Sequence, residues 1–538
     1  MRARPLVVAV SGALALAVAS AACGGGSAVE VAERSRSAVP GSSDRATSAP
    51  GEGEGSAGTA VDADDPTITD ATTGTSGPPD DGPAAPDDGP APPDPPTDDG
   101  RELDPAAAAD GLGDSIFPNL GNGGYDVSSY RIELDVDGDD PAIEAVATVA
   151  ALALRDLPSL QLDLHGLEVA SVEVDGRAAT FERDGDELVV APAVPVADGA
   201  PFRIVVAYGG EPDPVPDPSV PIGSLGWQRR DGVVFVASEP SGASTWFPAN
   251  DHPLDAATFT VAITHDDDVT AISNGVLASA RPAGPGRTTS TWVMDDPMAT
   301  YLAAVYVGDF ERLDATSDGG VALRDFVPSG RAGSVGRALA PTGEIVDALA
   351  ELLDEPYPFA EYGSVVLPFP TGFALENQTV SLHGLDALSE DVLAHEIAHQ
   401  WFGNHVRLAD WQDTWIAEGF ATYLSHLWFE ERGERSPQDP ELLYGVLERN
   451  PTVGAAVVDP DDLFGLSVYL RGALALHAVR AEVGDAAFGG FLAEVVDRFG
   501  GRAVRTDDVR ALVLEVGGER ALAALDPWLF DDELPPMP

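Results

Sequence analysis

Hydrophobic and polar residues alternate with a period of two through one long stretch of the chain. Tyr130, Ile132, Leu134 and Val136 stand between polar neighbours, Leu160, Leu162 and Leu164 repeat the pattern, and Val169, Val172 and Val174 continue it. Successive side chains on a strand point to opposite faces, so this spacing predicts half-buried strands. Turn signals recur between the runs, at Asp137-Gly138, Asp175-Gly176 and Asp184-Gly185, and pairs of this kind close hairpins. Residues 113–313 are therefore expected to form an antiparallel β saddle or sandwich. From about residue 314 the period lengthens to that of a helix. Gly343 to Leu353 reads as one helix and Tyr362 to Leu367 as a strand. Val392, Leu393, Ile397 and Trp401 frame another helix, with Ser389 as its cap and Glu390 and Asp391 in its first turn. Two more helices are expected, from Tyr469 through about Phe499 and from Thr506 to Val516. Residues 314–538 thus read as a second, mostly helical α+β domain. About 425 residues follow the low-complexity stretch described next, more than one core normally holds, which also argues for two domains.

Residues ahead of the β pattern show neither period. The chain opens M-R-A-R-P-L, runs apolar from Leu6 to Val18 and reaches Ala19-Ser20-Ala21-Ala22-Cys23-Gly24. A basic start, a short apolar run and small residues make a secretory signal over residues 1–22. Small residues before Cys and Gly resemble a bacterial lipoprotein signal, with lipid on Cys23, the one cysteine of the chain. The alternative is an ordinary signal peptide. The lipoprotein reading places the protein outside the cell, tethered to the outer face of the membrane. Residues 23–112 hold repeats such as P-P-D-D-G-P-A-A-P-D-D-G-P. Too few apolar residues are present to offset the entropy of ordering, so an extended acidic tether is expected. The net charge is −59 and every basic residue is Arg, which argues against nucleic acid as a partner.

The candidate chemistry lies between Ser389 and Tyr423. His395 and His399 in H-E-I-A-H are four apart, on one face of a helix and a turn from each other. Two imidazoles at that spacing can share a metal, and zinc favours nitrogen ligands in a tetrahedral site. Glu396 stands beside the metal, where a general base can take a proton from metal-bound water. Glu418, nineteen residues after His399, can supply a third ligand. Elsewhere, Glu376 and Asn377 lie in the otherwise apolar F-A-L-E-N, where a buried polar pair needs partners. By its residues alone, Glu239 belongs to a solvated loop.

Three signatures stand in order: F-A-L-E-N at 373–377, H-E-I-A-H with Glu418, and S-V-Y-L-R-G-A-L-A-L from Ser467. With F-P-N-L-G-N-G-G-Y-D-V, W-F-P-A-N-D-H-P and P-M-A-T-Y-L nearer the start, they resemble the zinc aminopeptidase N family, over roughly residues 117–538. The resemblance implies a β saddle followed by a thermolysin-like zinc peptidase domain, and one zinc per chain held by His395, His399 and Glu418. It implies that Glu396 is the general base and that Tyr469 stabilises the oxyanion. Glu376 and Glu239, with Asn377, would bind the free N-terminus of a peptide substrate. The expected activity is release of N-terminal residues by a monomeric enzyme. The chain departs from the family motifs at Phe373 and Leu375, near the pocket for the first side chain, and at Ala417, where Asn commonly precedes the third ligand. Two rival readings are an endopeptidase or epoxide hydrolase, and a binding protein on an inactive protease scaffold.

Overall fold

The computed structural model describes Leu103 and residues 111–538, apart from 139, 218 and 219. The expected signal sequence, Cys23 and nearly all of the expected tether lie outside the described residues. Leu103 is an exception and packs with Leu254 and Ala409 in a small apolar cluster.

The alternating stretch forms an eight-stranded sheet. Its strands are β1 (Tyr125–Val136), β2 (Ile143–Ala153), β3 (Glu168–Val174), β4 (Arg177–Ala178), β5 (Pro201–Gly210), β6 (Ala257–Asp266), β7 (Val276–Gly284) and β8 (Arg287–Met298), in the order β7-β8-β6-β1-β2-β5-β3-β4. Neighbours are antiparallel except for β1 and β6, which run parallel. The alternation in β1 changes phase. Tyr125 and Val127 face the core, then Tyr130, Ile132, Leu134 and Val136 do. A register shift between Val127 and Ser129 absorbs the extra residue as a β-bulge. A second bulge between Val169 and Ser171 explains why Val169 and Val172 are three apart. The Asp175-Gly176 turn closes the β3–β4 hairpin with positive φ at both residues, 50° and 69°, the geometry that favours such pairs in tight hairpins. Helix in this region is confined, among the described residues, to two short 3₁₀ turns.

The second sheet is mixed. It comprises β9 (Phe310–Thr316), β10 (Ala322–Pro328), β11 (Glu361–Val366), β12 (Ala374–Leu375) and β13 (Val380–His383), ordered β9-β10-β11-β13-β12. β10, β11 and β13 are parallel. A parallel pair needs a crossover, and helix α1 (Thr342–Leu353) lies between β10 and β11. Among the helices that follow are α2 (Glu390–Ala398), α3 (Trp415–Glu431), α4 (Gly472–Val483), α5 (Asp485–Phe499) and α6 (Thr506–Phe530). The single helix expected from Tyr469 to Phe499 is instead divided at Gly484. That residue has φ 82° and ψ 161°, a conformation that glycine alone adopts at low cost. α6 runs past Val516 through a kink at Gly518, φ 68°. No helix among the described residues is long and apolar enough to cross a membrane.

The β domain and the second sheet meet along residues 376–379. Asn274 Nδ2 donates to the Gln378 carbonyl at 2.8 Å and Gly275 N–H to Thr379 Oγ1 at 2.8 Å. Buried Arg324 crosses the same seam. It pairs with Glu361, donates to the Gly275 carbonyl at 2.6 Å and lies 5.1 Å from the Trp292 ring centroid. Removing one member of a buried pair strands the other without solvent. Arg324→Ala is accordingly expected to lower unfolding free energy by roughly 3 kcal/mol, as read by urea denaturation. Arg324→Lys is expected to recover only part of that, because one ammonium cannot reach all three partners.

Candidate active site

α2 and α3 cross so that three buried side chains converge. His395 projects from the last turn of α2 and His399 caps its end, while Glu418 stands in the first turn of α3. The His395 and His399 Nε2 atoms are 3.0 Å apart, and Glu418 Oε2 is 3.2 Å from the first and 3.4 Å from the second. This is the one group of three or more potential metal ligands found among the described residues. His399 Nδ1 lies 3.0 Å from the Phe402 carbonyl. Donation there leaves the Nε2 lone pair free for a metal, the usual arrangement behind a ligand histidine.

Electrostatics agree with the geometry. Burial works against a charged His399, yet the Glu376 and Glu418 carboxylates outweigh it and push its pKa up to about 10. Burial raises the Glu418 carboxyl, but His399 and hydrogen bonds from both imidazoles hold it down at about 2. The carboxylates thus draw positive charge to His399, whereas burial lowers its neighbour His395. Two nitrogens, one carboxylate oxygen and a favourable potential fit a zinc ion with an open fourth position.

The pocket above these residues has a volume of about 750 Å³, counting the space at its mouth. Glu239, Glu376, Glu396 and Glu418 all line it, and no arginine does. Burial pushes Glu396 well above the usual carboxylate range, and Glu376 and Glu418 push it further against the pull of His399. Burial also raises Glu239, with Glu376 adding to the effect, and the two share a hydrogen bond. Glu376 Oε1 is buried without a hydrogen-bond partner. Tyr469 donates to Glu418 Oε1 at 2.9 Å, and its ring stacks on His395 at 6.0 Å.

Asn377 departs from its expected place. Its Oδ1 accepts from Tyr306 at 2.9 Å and its Nδ2 donates to the Leu302 carbonyl at 3.1 Å, and it does not line the pocket. The amide anchors the strand beside Glu376 rather than facing a ligand. Gln400 and Asn404, which the sequence analysis did not single out, hold the Glu376 carbonyl from below at 3.1 and 2.8 Å. Gln400 Oε1 also accepts from the Thr379 N–H at 2.8 Å, and Thr379 has φ 67°, costly for a β-branched residue. Polar residues just after His399 were the available signal. Phe464 and the Val220–Leu225 segment also line the pocket, and nothing local in the sequence marks them. Trp401, Trp411 and Trp415 are fully buried core.

A two-histidine, one-glutamate centre at the floor of an acidic pocket, on an α+β domain behind a β saddle, defines the gluzincin class of metallopeptidases. Family models agree: the Peptidase M1 N-terminal domain matches residues 127–302 and the Peptidase family M1 domain matches residues 337–528. The crystal structure of an M1 zinc metallopeptidase from Deinococcus radiodurans superposes with a TM-score of 0.75 at 35% identity, covering 80% of this chain and 98% of that one. A mutant of that protein bound to a Tyr-Ser-Ala substrate gives the same score. Aminopeptidase N of Oryctolagus cuniculus is 34% identical over 216 residues, 37% of this chain and 22% of that protein. Aminopeptidase M1 of Arabidopsis thaliana is 27% identical over 328 residues, 56% and 37% respectively. The chain belongs to the M1 family of zinc metallopeptidases. It spans 22% of the length of the Oryctolagus cuniculus relative and 37% of that of the Arabidopsis thaliana one.

Purified protein is expected to carry one zinc per chain by elemental mass spectrometry. His395→Ala and His399→Ala are expected to carry almost none, and Gln400→Ala to keep its zinc.

Proposed function

We propose that the protein is a zinc aminopeptidase, which releases residues one at a time from the free N-terminus of peptides. The observation that carries this reading is the pair Glu376, buried, and Glu239, half-buried, which share a hydrogen bond in the metal pocket with no arginine to neutralise them. Buried carboxylates without a cation are costly. The α-ammonium of a peptide supplies the missing charge and places the first peptide bond at a fixed distance from it. The Tyr-Ser-Ala complex of the Deinococcus relative supports a short peptide as ligand.

Zinc, when bound, supplies Lewis acidity toward the scissile carbonyl and acidifies a water molecule. Glu396, raised by burial, takes the proton of the attacking water and returns it to the leaving amine. Tyr469 faces the same space from the other side, where its hydroxyl meets negative charge that develops on the carbonyl oxygen in the transition state. Phe373, Leu375 and Phe464 line the pocket beside Glu376 and form an apolar slot for the first side chain. We further propose that Cys23 carries lipid and holds the enzyme on the outer face of the cell membrane.

Hydrolysis of free aminoacyl-amide fluorogenic substrates, compared with their N-acetylated forms, tests the activity. Free-amine substrates are expected to turn over, with leucyl and phenylalanyl amides ahead of glycyl. Acetylated ones are expected to lose about 10³-fold or more, since they bring no cation to Glu376 and Glu239. Glu396→Gln is expected to lower kcat by about 10³-fold. Equal turnover of blocked substrates would point to an endopeptidase.

For the anchor, Cys23→Ala is expected to move the protein from the membrane fraction to the medium. Mass spectrometry of the extracted parent protein is expected to find acyl chains at Cys23.

A further inference from the structure

The described structure brings α3 and the segment carrying Tyr469 unusually close, and does so at two glycines. Gly419 follows the metal ligand Glu418 on α3. Gly472 lies one turn after Tyr469, at the start of α4. A Cβ on Gly472 would stand 2.9 Å from Gly419 Cα, and a Cβ on Gly419 would stand 2.8 Å from Gly472 Cα. Neither distance leaves room for a methyl group. Gly472 has φ −58° and ψ −50°, an ordinary helical conformation that any residue adopts. Its identity is therefore set by space and not by backbone freedom. Glycine weakens a helix relative to alanine, so two glycines facing each other across a helix contact need a packing or functional reason.

The segment itself is wound as a π-helical turn over Ser467–Arg471, with the Gly472 N–H reaching the Ser467 carbonyl. Such turns insert a residue and re-aim the side chains around it. Here Tyr469 is aimed at Glu418, two positions before Arg471. The fully buried Arg471 guanidinium grips the far side. It donates to the carbonyls of Thr452 at 3.1 Å, Pro527 at 2.9 Å and Asp531 at 2.8 Å. The turn is thus pressed onto α3 at Gly472 and tied to the rest of the domain at Arg471. Tyr469 lies two and three residues ahead of these fixed points, and its hydroxyl donates to Glu418 at 2.9 Å.

We propose that the backbone contact between Gly419 and Gly472, anchored from behind by Arg471, is the positioning device that sets the Tyr469 hydroxyl against the metal centre. This rests on the reading of Tyr469 as the oxyanion donor. Gly419, Gly472 and Arg471 are positioning residues and touch no substrate.

The test uses the full-length protein and four variants: Tyr469→Phe, Gly472→Ala, Arg471→Lys, and Gly472→Ala with Tyr469→Phe. Each is measured for zinc content, melting temperature, kcat and KM on a leucyl-amide substrate, and inhibition by a leucine phosphonate and by free leucine. The phosphonate copies the tetrahedral transition state, whereas leucine needs only the ammonium anchors and the apolar slot. Gly472→Ala is expected to keep one zinc, and to keep KM and leucine inhibition within about twofold. Its kcat is expected to fall on the order of 10- to 100-fold, with phosphonate affinity falling in parallel. Adding Tyr469→Phe to it is expected to cost less than about threefold, against on the order of 100-fold in the parent. Arg471→Lys is expected to show the same pattern more weakly, and it decides the matter should Gly472→Ala fail to fold. A folded, zinc-loaded Gly472→Ala with parent kcat and phosphonate affinity overturns the proposal, whatever its melting temperature. Additive losses in the double variant overturn it too. A silent Tyr469→Phe overturns the reading of Tyr469 and the proposal together, whereas a damaging Tyr469→Phe beside silent Gly472→Ala and Arg471→Lys overturns the proposal alone.

Discussion

Four glutamates share one buried pocket, and their mutual repulsion is the constraint around which the rest of the structure is arranged. Carboxylates out of water and close together cannot all remain ionised without cations among them. The pocket contains no arginine, so its charge is answered from elsewhere. On the proposed function, a metal between the imidazoles answers Glu418, the ammonium of a peptide answers Glu239 and Glu376, and Glu396 is left as the group whose proton moves. On the same proposal, this repulsion is what selects a ligand that carries a positive charge at one end.

Holding such a pocket open requires support from every side. The segment bearing Glu376, between β12 and β13, is tied by Gln400 and Asn404 from the chain just after α2, and by Asn274 and Gly275 from the β saddle. Thr379 is kept at a positive φ by these bonds. Glu239 is brought by the β domain itself, so the pocket exists only where the two domains meet. Asn377 belongs to this support. Its amide is spent on Tyr306 and the Leu302 carbonyl, which holds the segment that carries Glu376.

The metal centre was legible before any coordinates because its chemistry is local. Two histidines four apart on a helix must share a face, and Glu396 between them must lie beside whatever they hold. The β saddle was legible from its alternation and its Asp-Gly turns, and the bulges at Ser128 and Ala170 appear only as slips of phase. Tyr469, Glu376 and Glu239 were placed by resemblance to a family and not by physics. As isolated residues they read as a helix tyrosine, a strand glutamate and a loop glutamate. Phe464 and the Val220–Leu225 segment had no signal of any kind.

The sequence by itself determined the local periods, the pair of imidazoles and the excess of acid over base, because each depends on neighbours within a turn or two of the chain. The tertiary structure decided which distant carboxylates share a pocket, which polar side chain faces it and which is spent on support, and how near Tyr469 comes to Glu418. Those outcomes depend on where separate elements cross. Crossings are set by the packing of whole faces and, at Gly419 and Gly472, by the absence of two side chains that no local pattern marks as missing.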